Sequence, residues 1–339
     1  MEIEGDSRVT AASLDIVAIG NAIVDVLATT DEEFLAAEDL AKGSMQLISA
    51  ERATDLYSKM GPGREISGGS AANTVAGMAM LGRRCGFIGQ VSNDQLGKVF
   101  SHDIRASDVA FTTPSREGEP PTAQCLILVT PDGQRTMNTF LGASQFLPAS
   151  ALDREMIASA EILYLEGYLW DPEEPRAAMQ SAIRIAREAG RKVAFTLSDA
   201  FCIERHRDSF HALIDNGDID ILFANEAEMH SLMQSDHFDE SVAAVAAKVP
   251  LLVVTRGPHG ALAVKDGIRT EVLAEPVEKV IDTTGAGDLF AAGFLAGQAA
   301  GRSVADSLTM GSVCAAEIIS HFGPRAEADL AALVAARLG

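Results

Sequence analysis

The chain has 339 residues, 47% hydrophobic and 22% charged, enough to bury a large core as one big domain with an appendage or as two domains, and too apolar for disorder to be its main state. Its 48 acidic side chains outnumber 27 basic ones for a formal charge of −21 with no long basic run, which argues against nucleic acid or an acidic membrane surface as a partner. A phosphorylated ligand would need a local device: backbone amides, a helix N-terminus, a metal ion or a few placed cations.

The chain begins Met-Glu-Ile-Glu-Gly-Asp, acidic and without an apolar stretch, so no signal peptide is expected, and the first dozen or so residues are expected to fray. Four cysteines (Cys85, Cys125, Cys202, Cys314) form no C-x-x-C pair, which fits a reduced, cytoplasmic setting. No apolar run approaches the length of a membrane span.

Residues 15–20 (Asp-Ile-Val-Ala-Ile-Gly) give the first buried-strand signal, and similar runs follow at 85–89, 162–166, 192–197, 219–224 and 251–255. Helical patterns lie between several of them, at 173–189 and 241–249. This alternation predicts an α/β fold, a mostly parallel sheet flanked by helices in three layers, with ligands at the carboxyl ends of its strands. Two stretches break the pattern. Residues 22–48 hold β-like pieces at 23–29 and 44–48, and residues 109–141 hold others at 109–113, 122–130 and 135–141. The last two are joined by Pro131-Asp132-Gly133, a turn sequence in which proline presets φ and glycine accepts positive φ. These pieces read as antiparallel hairpins of a small β lid (22–48 and 109–141) inserted into a core domain (13–21, 49–108 and 142–330). The alternative makes them edge strands of the main sheet.

Three stretches carry chemistry. In Ser67-Gly-Gly-Ser-Ala-Ala-Asn73, the Gly68-Gly69 pair lets a ligand approach the backbone, and Asn73 stands on the next helix, suited either to a ligand hydroxyl or to local capping. Asn225-Glu-Ala-Glu228 follows a strand and could order water around Mg²⁺ and phosphates, or simply begin a solvated helix. The strongest signal is Asp282-Thr283-Thr284-Gly285-Ala286-Gly287-Asp288, a loop of small residues opening onto a helix whose Phe290, Ala291, Phe294 and Leu295 share one face. Its amides and the helix dipole can hold an anion. Asp288 could be an ordinary N-terminal cap, but a plain cap does not need two glycines. The functional reading places it beside a transferring phosphoryl group as the base for an attacking hydroxyl. A Walker A loop is absent, Gly285-x-Gly287-x-x-Phe290 misses the third glycine of a dinucleotide fingerprint, and metal-ligand spacing is missing.

Together these segments resemble the ribokinase-like, or PfkB, family of carbohydrate and nucleoside kinases, over about residues 15–325 and in the family's order. The resemblance implies a β lid over the acceptor site, ATP and Mg²⁺ as cofactors, and a monovalent cation near Asp282 and Thr284. Asp288 looks like the catalytic base, with Gly285, Ala286 and Gly287 as its anion hole and Arg135 near the transferred phosphate. Asn225 and, through water, Glu228 look like the Mg²⁺–phosphate network, and Thr255-Arg256-Gly257 resembles the nucleotide-binding turn. Asn21 and Asp25 occupy positions where family members hold substrate hydroxyls. Gly20-Asn-Ala-Ile-Val-Asp25, Gly68-Gly-Ser-Ala-Ala-Asn73, the strand through Cys125 and Arg135 resemble adenosine kinase-like members more than sugar kinases, although Gly20-Asn-Ala-Ile-Val-Asp25 lacks the proline that usually follows the Asn. A base slot could be made by Tyr168, Phe201, Met137 and Leu141. The resemblance thus implies a small-molecule acceptor, a nucleoside first and a free sugar second, and a monomer or homodimer.

Overall fold

The computed structural model describes residues 13–339; the expected frayed end, residues 1–12, lies outside the described residues. The strands in chain order are β1 (Leu14–Ile19), β2 (Ile23–Thr29), β3 (Met45–Leu47), β4 (Arg64–Gly68), β5 (Cys85–Ile88), β6 (Val109–Phe111), β7 (Ala123–Val129), β8 (Arg135–Phe140), β9 (Ala160–Glu166), β10 (Lys192–Thr196), β11 (Ile221–Asn225), β12 (Leu251–Thr255), β13 (Ala261–Lys265) and β14 (Ile268–Val272). Nine of them form one sheet in the order β14-β13-β12-β11-β10-β9-β1-β5-β6. Pairing is parallel from β12 to β6 and antiparallel at the β12–β13–β14 edge.

The expected three-layer α/β arrangement is present, and the sequence of the central strands explains it. Ile16 and Ala18 of β1 enter one hydrophobic cluster, with helices Ser70–Met80, Ala286–Ala299 and Val304–Ile318. Val17 and Ile19 enter the other, with helices Glu173–Glu188, Ala200–Asp215 and Phe238–Ala246. Strands covered on both faces must be apolar throughout, which is why they read as continuous runs rather than alternations. The chain leaves β1 toward β5 and β6 on one side and builds β9 to β14 on the other. The β1–β9 boundary is therefore the switch point of the sheet, where such folds open a crevice at the strands' carboxyl ends.

A second sheet runs β3-β8-β7-β2-β4. The β7–β8 hairpin turns through Pro131-Asp132-Gly133, with Gly133 at φ +83°. Two expectations need correction. First, the sheet is not built of hairpins alone: β2 pairs in parallel with β7, and β3 with β8. Second, the boundaries shift at both ends. β4, inside the 49–108 stretch assigned to the core, pairs antiparallel with β2 in the small sheet. β6, inside the 109–141 stretch assigned to the lid, is the edge of the large sheet, as the alternative reading had it. Phe111 holds it there by packing on Phe87 and Phe100. One face of the small sheet, through Val24, Val26, Leu126 and Leu128, joins the core beside Leu35 and Leu56. Its other face carries Asp25, Cys125, Ile127, Met137 and Thr139 toward the crevice.

Helices Ala286–Ala299 and Val304–Ile318 pack so closely that a Cβ on Gly293 would sit 2.5 Å from the Met310 carbonyl oxygen. Backbone cannot yield as a side-chain tip can. Gly293→Val is expected to cost about 3 kcal/mol, near the upper end of overpacking penalties, read as a lowered urea midpoint; an unchanged midpoint would refute this packing.

Candidate active site

The loop 282–287 does what its small residues suggest. Asp282 Oδ1 accepts from the Thr284 amide at 3.0 Å, folding the loop on itself. Gly285 takes φ +78°, in the left-handed region, and serves as the N-cap of the helix Ala286–Ala299. The space beside Gly287, where a Cβ would project, is open. The Ala286 amide donates to the Thr283 carbonyl at 3.2 Å, but the Gly285 and Gly287 amides have no partner among the described residues, and a helix N-terminus with such amides and an empty flank is a ready anion cradle.

Asp288 lies in the first turn of this helix and does not cap it. Its carboxylate accepts from Ser70 Oγ at 2.6 Å and from Asn73 Nδ2 at 3.0 Å, both on the helix Ser70–Met80, while Thr74 Oγ1 donates to the Asp288 carbonyl at 3.2 Å. That helix starts at Gly69, whose φ of +102° puts its missing Cβ against the Asn21 carbonyl. Burial raises the Asp288 carboxyl above the usual range, against the pull of Ser70, Asn73 and the Arg325 guanidinium. Asp25 is raised to about 7 by burial that outweighs Arg325 and Arg135. It accepts no side-chain hydrogen bond from the described residues and lines a cavity of about 500 Å³.

That cavity lies between the small sheet and the crevice, walled by Ile23, Asp25, Cys125, Ile127, Met137 and Thr139 on one side. Gly69, Asn73, Tyr168, Asn225, Glu228 and Asp288 complete it. Asn73 Oδ1 has no partner among the described residues. A second, more apolar cavity of about 630 Å³ adjoins it, holding Gly257, Pro258, Val280, Ala286, Ala315 and Ile319. Thr255, Thr283, Gly287 and Phe290 line both. The anion cradle is thus the wall between two compartments, with Asp288 on the more polar side.

Several expected residues stand elsewhere. Phe201 is 69% exposed and touches neither cavity. Leu141 lines neither. Asn21 turns away, donating its backbone N and Nδ2 to Glu166 Oε1 at 2.7 and 2.6 Å. Arg256 lies over the Phe238 ring at 4.7 Å and 3.7 Å from Glu226, so only Thr255 and Gly257 of that turn reach the cavities. Gly68 is a contact surface rather than a wall, its missing Cβ leaving room for the Asp25 carboxylate. Arg135 is buried, 2.7 Å from Asp282 Oδ2 and over the Phe322 ring, yet none of its guanidinium nitrogens makes a well-directed hydrogen bond. Asn225 and Glu228 form a capping box, Oδ1 taking the Glu228 amide at 2.8 Å and Glu228 Oε2 the Asn225 amide at 3.0 Å. Glu228 is nevertheless buried, not solvated, and burial raises it to about 7.

Three contributors have no sequence signal of their own. Ser70 fixes Asp288. Arg325, half-buried in the 322–325 loop, donates to Ser67 O and to Ala72 O at 2.9 and 3.0 Å and faces Asp25, Asp103 and Asp288. Glu166 ends β9 at the switch point and ties it to Asn21 and to the Ala71 amide (2.8 Å), burial raising it to about 7.

A model of the pfkB family carbohydrate kinases matches residues 14–330. Among solved structures, the chain is similar to a probable sugar kinase from Rhizobium etli, 44% identical with TM-score 0.89 over 96% of this chain and 99% of that one. It is similar also to an adenosine kinase from Sinorhizobium meliloti, 46% identical with TM-score 0.88 over the same shares. Among curated proteins it is 29% identical to a fructokinase of Salmonella typhimurium over 74% of this chain and 85% of that one. It is 25% identical to an adenosine kinase of Saccharomyces cerevisiae over 91% and 96%.

Removing Glu166 would strand two buried amides and the Asn21 side chain. Glu166→Ala is expected to lose about 3 kcal/mol of stability by denaturant titration, and Glu166→Gln, which keeps one acceptor oxygen, distinctly less. Equal losses would mean that the three bonds to Asn21 and Ala71 carry no net weight.

Proposed function

The chain belongs to the pfkB family of carbohydrate kinases, and within it we propose that the protein moves the γ-phosphate of ATP to the 5′-hydroxyl of a nucleoside, adenosine first. Membership makes it a phosphotransferase with an alcohol group as acceptor. The observation that carries the nucleoside reading is Asp25, a carboxylate with no side-chain partner among the described residues, standing beside an apolar slot of Ile127 and Met137 in one cavity. A carboxylate can accept from the two vicinal hydroxyls of a ribose while the slot takes a flat base. The 46% identity to an adenosine kinase supports the same choice.

In this reading the acceptor lies under the small sheet, which acts as the lid, and the nucleotide occupies the apolar compartment beside Thr255 and Gly257. Asp288 takes the proton from the acceptor hydroxyl as its oxygen forms the new bond to phosphorus and the bond to ADP breaks. The amides of Gly285 and Gly287 hold the charge that develops, while that of Ala286, bonded to the Thr283 carbonyl, shapes the loop; the Arg135 guanidinium, short of well-directed acceptors, adds a nearby positive charge. No group of three or more His, Cys, Asp or Glu suited to a metal occurs among the described residues. A Mg²⁺ held largely by water and phosphate oxygens would not need such a group, and it would neutralise phosphate charge. Asn225 and Glu228 would hold it through water. A monovalent cation would sit by Asp282 and Thr284. Among the described residues no helix is long and apolar enough to cross a membrane, and the four cysteines are free and buried.

A free-sugar acceptor is the second reading, favoured by the likeness to a probable sugar kinase and to fructokinases. ADP release measured across adenosine, other nucleosides, ribose and fructose separates them: adenosine turnover is expected, and ribose or fructose turnover without it would reject the nucleoside. Ligand-induced stabilisation with no ADP release would instead make the chain a binding protein on this fold. Asp288→Asn is expected to lower kcat by about 10³ while acceptor binding persists; near-normal turnover would end the assignment of the base.

Hydroxyl donors bind the ionised form of Asp25, so protonation opposes binding. With its carboxyl near 7, acceptor KM is expected to rise as pH falls below about 7. Asp25→Asn should raise KM and flatten this dependence, as a pH series of KM would reveal.

A further inference from the structure

A cavity of about 580 Å³ opens on the flank of the molecule, between helix Gln95–Ala106 and the segment after β6. Its lining includes Lys98, His102 and Arg105 and no carboxylate residue, on a chain with a formal charge of −21. Spacings of four and three residues put these three side chains on one helical face. The nearby acids are engaged elsewhere. Asp94 accepts from Gly97 N, Thr122 N and Thr122 Oγ1, and Asp103 from Ser67 N and Oγ. Glu117 takes Asn93 Nδ2 at 2.9 Å and is not part of the lining.

At the cavity wall lies Thr113, 7% exposed, whose Oγ1 is buried without a hydrogen-bond partner. A buried hydroxyl left unsatisfied costs stability unless a ligand uses it. The other hydroxyls differ in kind: Ser92 and Ser101 donate to the carbonyls of Pro120 and Gly97. The side chains of Lys98, His102 and Ser115 have no hydrogen bond or ion pair among the described residues. Arg105 donates Nε and Nη2 to the Phe111 carbonyl, at 3.0 and 2.7 Å, which anchors its positive head at the cavity.

We propose that this cavity is a second anion site, separate from the phosphoryl-transfer centre, that binds the phosphate group of a small molecule through Lys98, His102, Arg105 and Thr113. A phosphate dianion offers several acceptor oxygens to cations and a hydroxyl donor, and it reverses the local excess of positive charge. The volume leaves room for an organic portion beyond the phosphate. The site does not depend on which alcohol the kinase phosphorylates.

Calorimetric titration of the full chain with inorganic phosphate and, separately, with 3-phosphoglycerate tests this, each with the nucleotide compartment filled by a non-hydrolysable ATP analogue. Saturable binding is expected for at least one probe, and tighter binding of the ester would identify an organic phosphate as the fitting ligand. Lys98 is exposed, so Lys98→Glu should fold normally, with an unchanged thermal midpoint, yet weaken binding by about tenfold or more. Thr113→Val should weaken it severalfold, and Asp288→Asn should leave it unchanged. No saturable binding of either probe, or equal affinity in wild type and Lys98→Glu, would overturn the site. Loss of the binding in Asp288→Asn would move it to the transfer centre and overturn it equally.

Discussion

The centre of this molecule is held by a half-buried carboxylate whose partners lie more than two hundred residues away in sequence: Asp288 with Ser70 and Asn73, separated by 218 and 215 positions. A carboxylate taken out of water costs several kcal/mol unless donors replace the lost hydration. Ser70 and Asn73 supply them, and the Arg325 guanidinium contributes from a third segment. The bond pair fixes helix Ser70–Met80 against helix Ala286–Ala299 and so sets the direction in which the 285–287 amides point. The two compartments meet at those amides, so this contact positions both.

A similar logic operates at the switch point. Glu166 draws the end of β9, the residue after Gly20 and the first turn of helix Ser70–Met80 into one knot. Asn21 serves here as a structural tie, although its type and position suggest a hydroxyl ligand. The knot keeps open a crevice where parallel strands diverge, and Asp25, four residues on, hangs into it from a different sheet.

Much of this was legible in the sequence, for identifiable reasons. The large sheet was, because strands buried on both faces leave contiguous apolar runs between helical patterns, and β12 matches its predicted limits of 251–255. Asp288 was, because two glycines before a helix have a physical purpose. The small sheet was legible as β structure but not in its pairing, since the parallel partnership of β2 with β7 joins segments about a hundred residues apart without a local turn to announce it. β6 looked like a lid strand because its neighbours in sequence are; Phe87 and Phe100, distant in sequence, decide otherwise. Arg325 carried no signal, since its role depends on carboxylates that only the folded chain gathers. Phe201 was misjudged because its position, just after β10, is right while its direction is wrong: with Asp199 capping the helix through the Cys202 amide, residue 202 is buried and residue 201 faces solvent.

The small sheet meets the crevice through alternate residues: 23 and 25, 125 and 127, 137 and 139. Its registry sets Asp25, Cys125 and Thr139 in one row and Ile127 with Met137 in the next. The 282–287 loop and Asp288 come instead from a helix packed on the large sheet. On the proposed function, acceptor recognition and phosphoryl chemistry are written on opposite walls of the crevice, although one hydrophobic cluster lies behind both. Such a division lets one wall drift among alcohols of different shape while the other stays fixed, and it gives a physical basis for relatives that are named for a sugar on one hand and a nucleoside on the other.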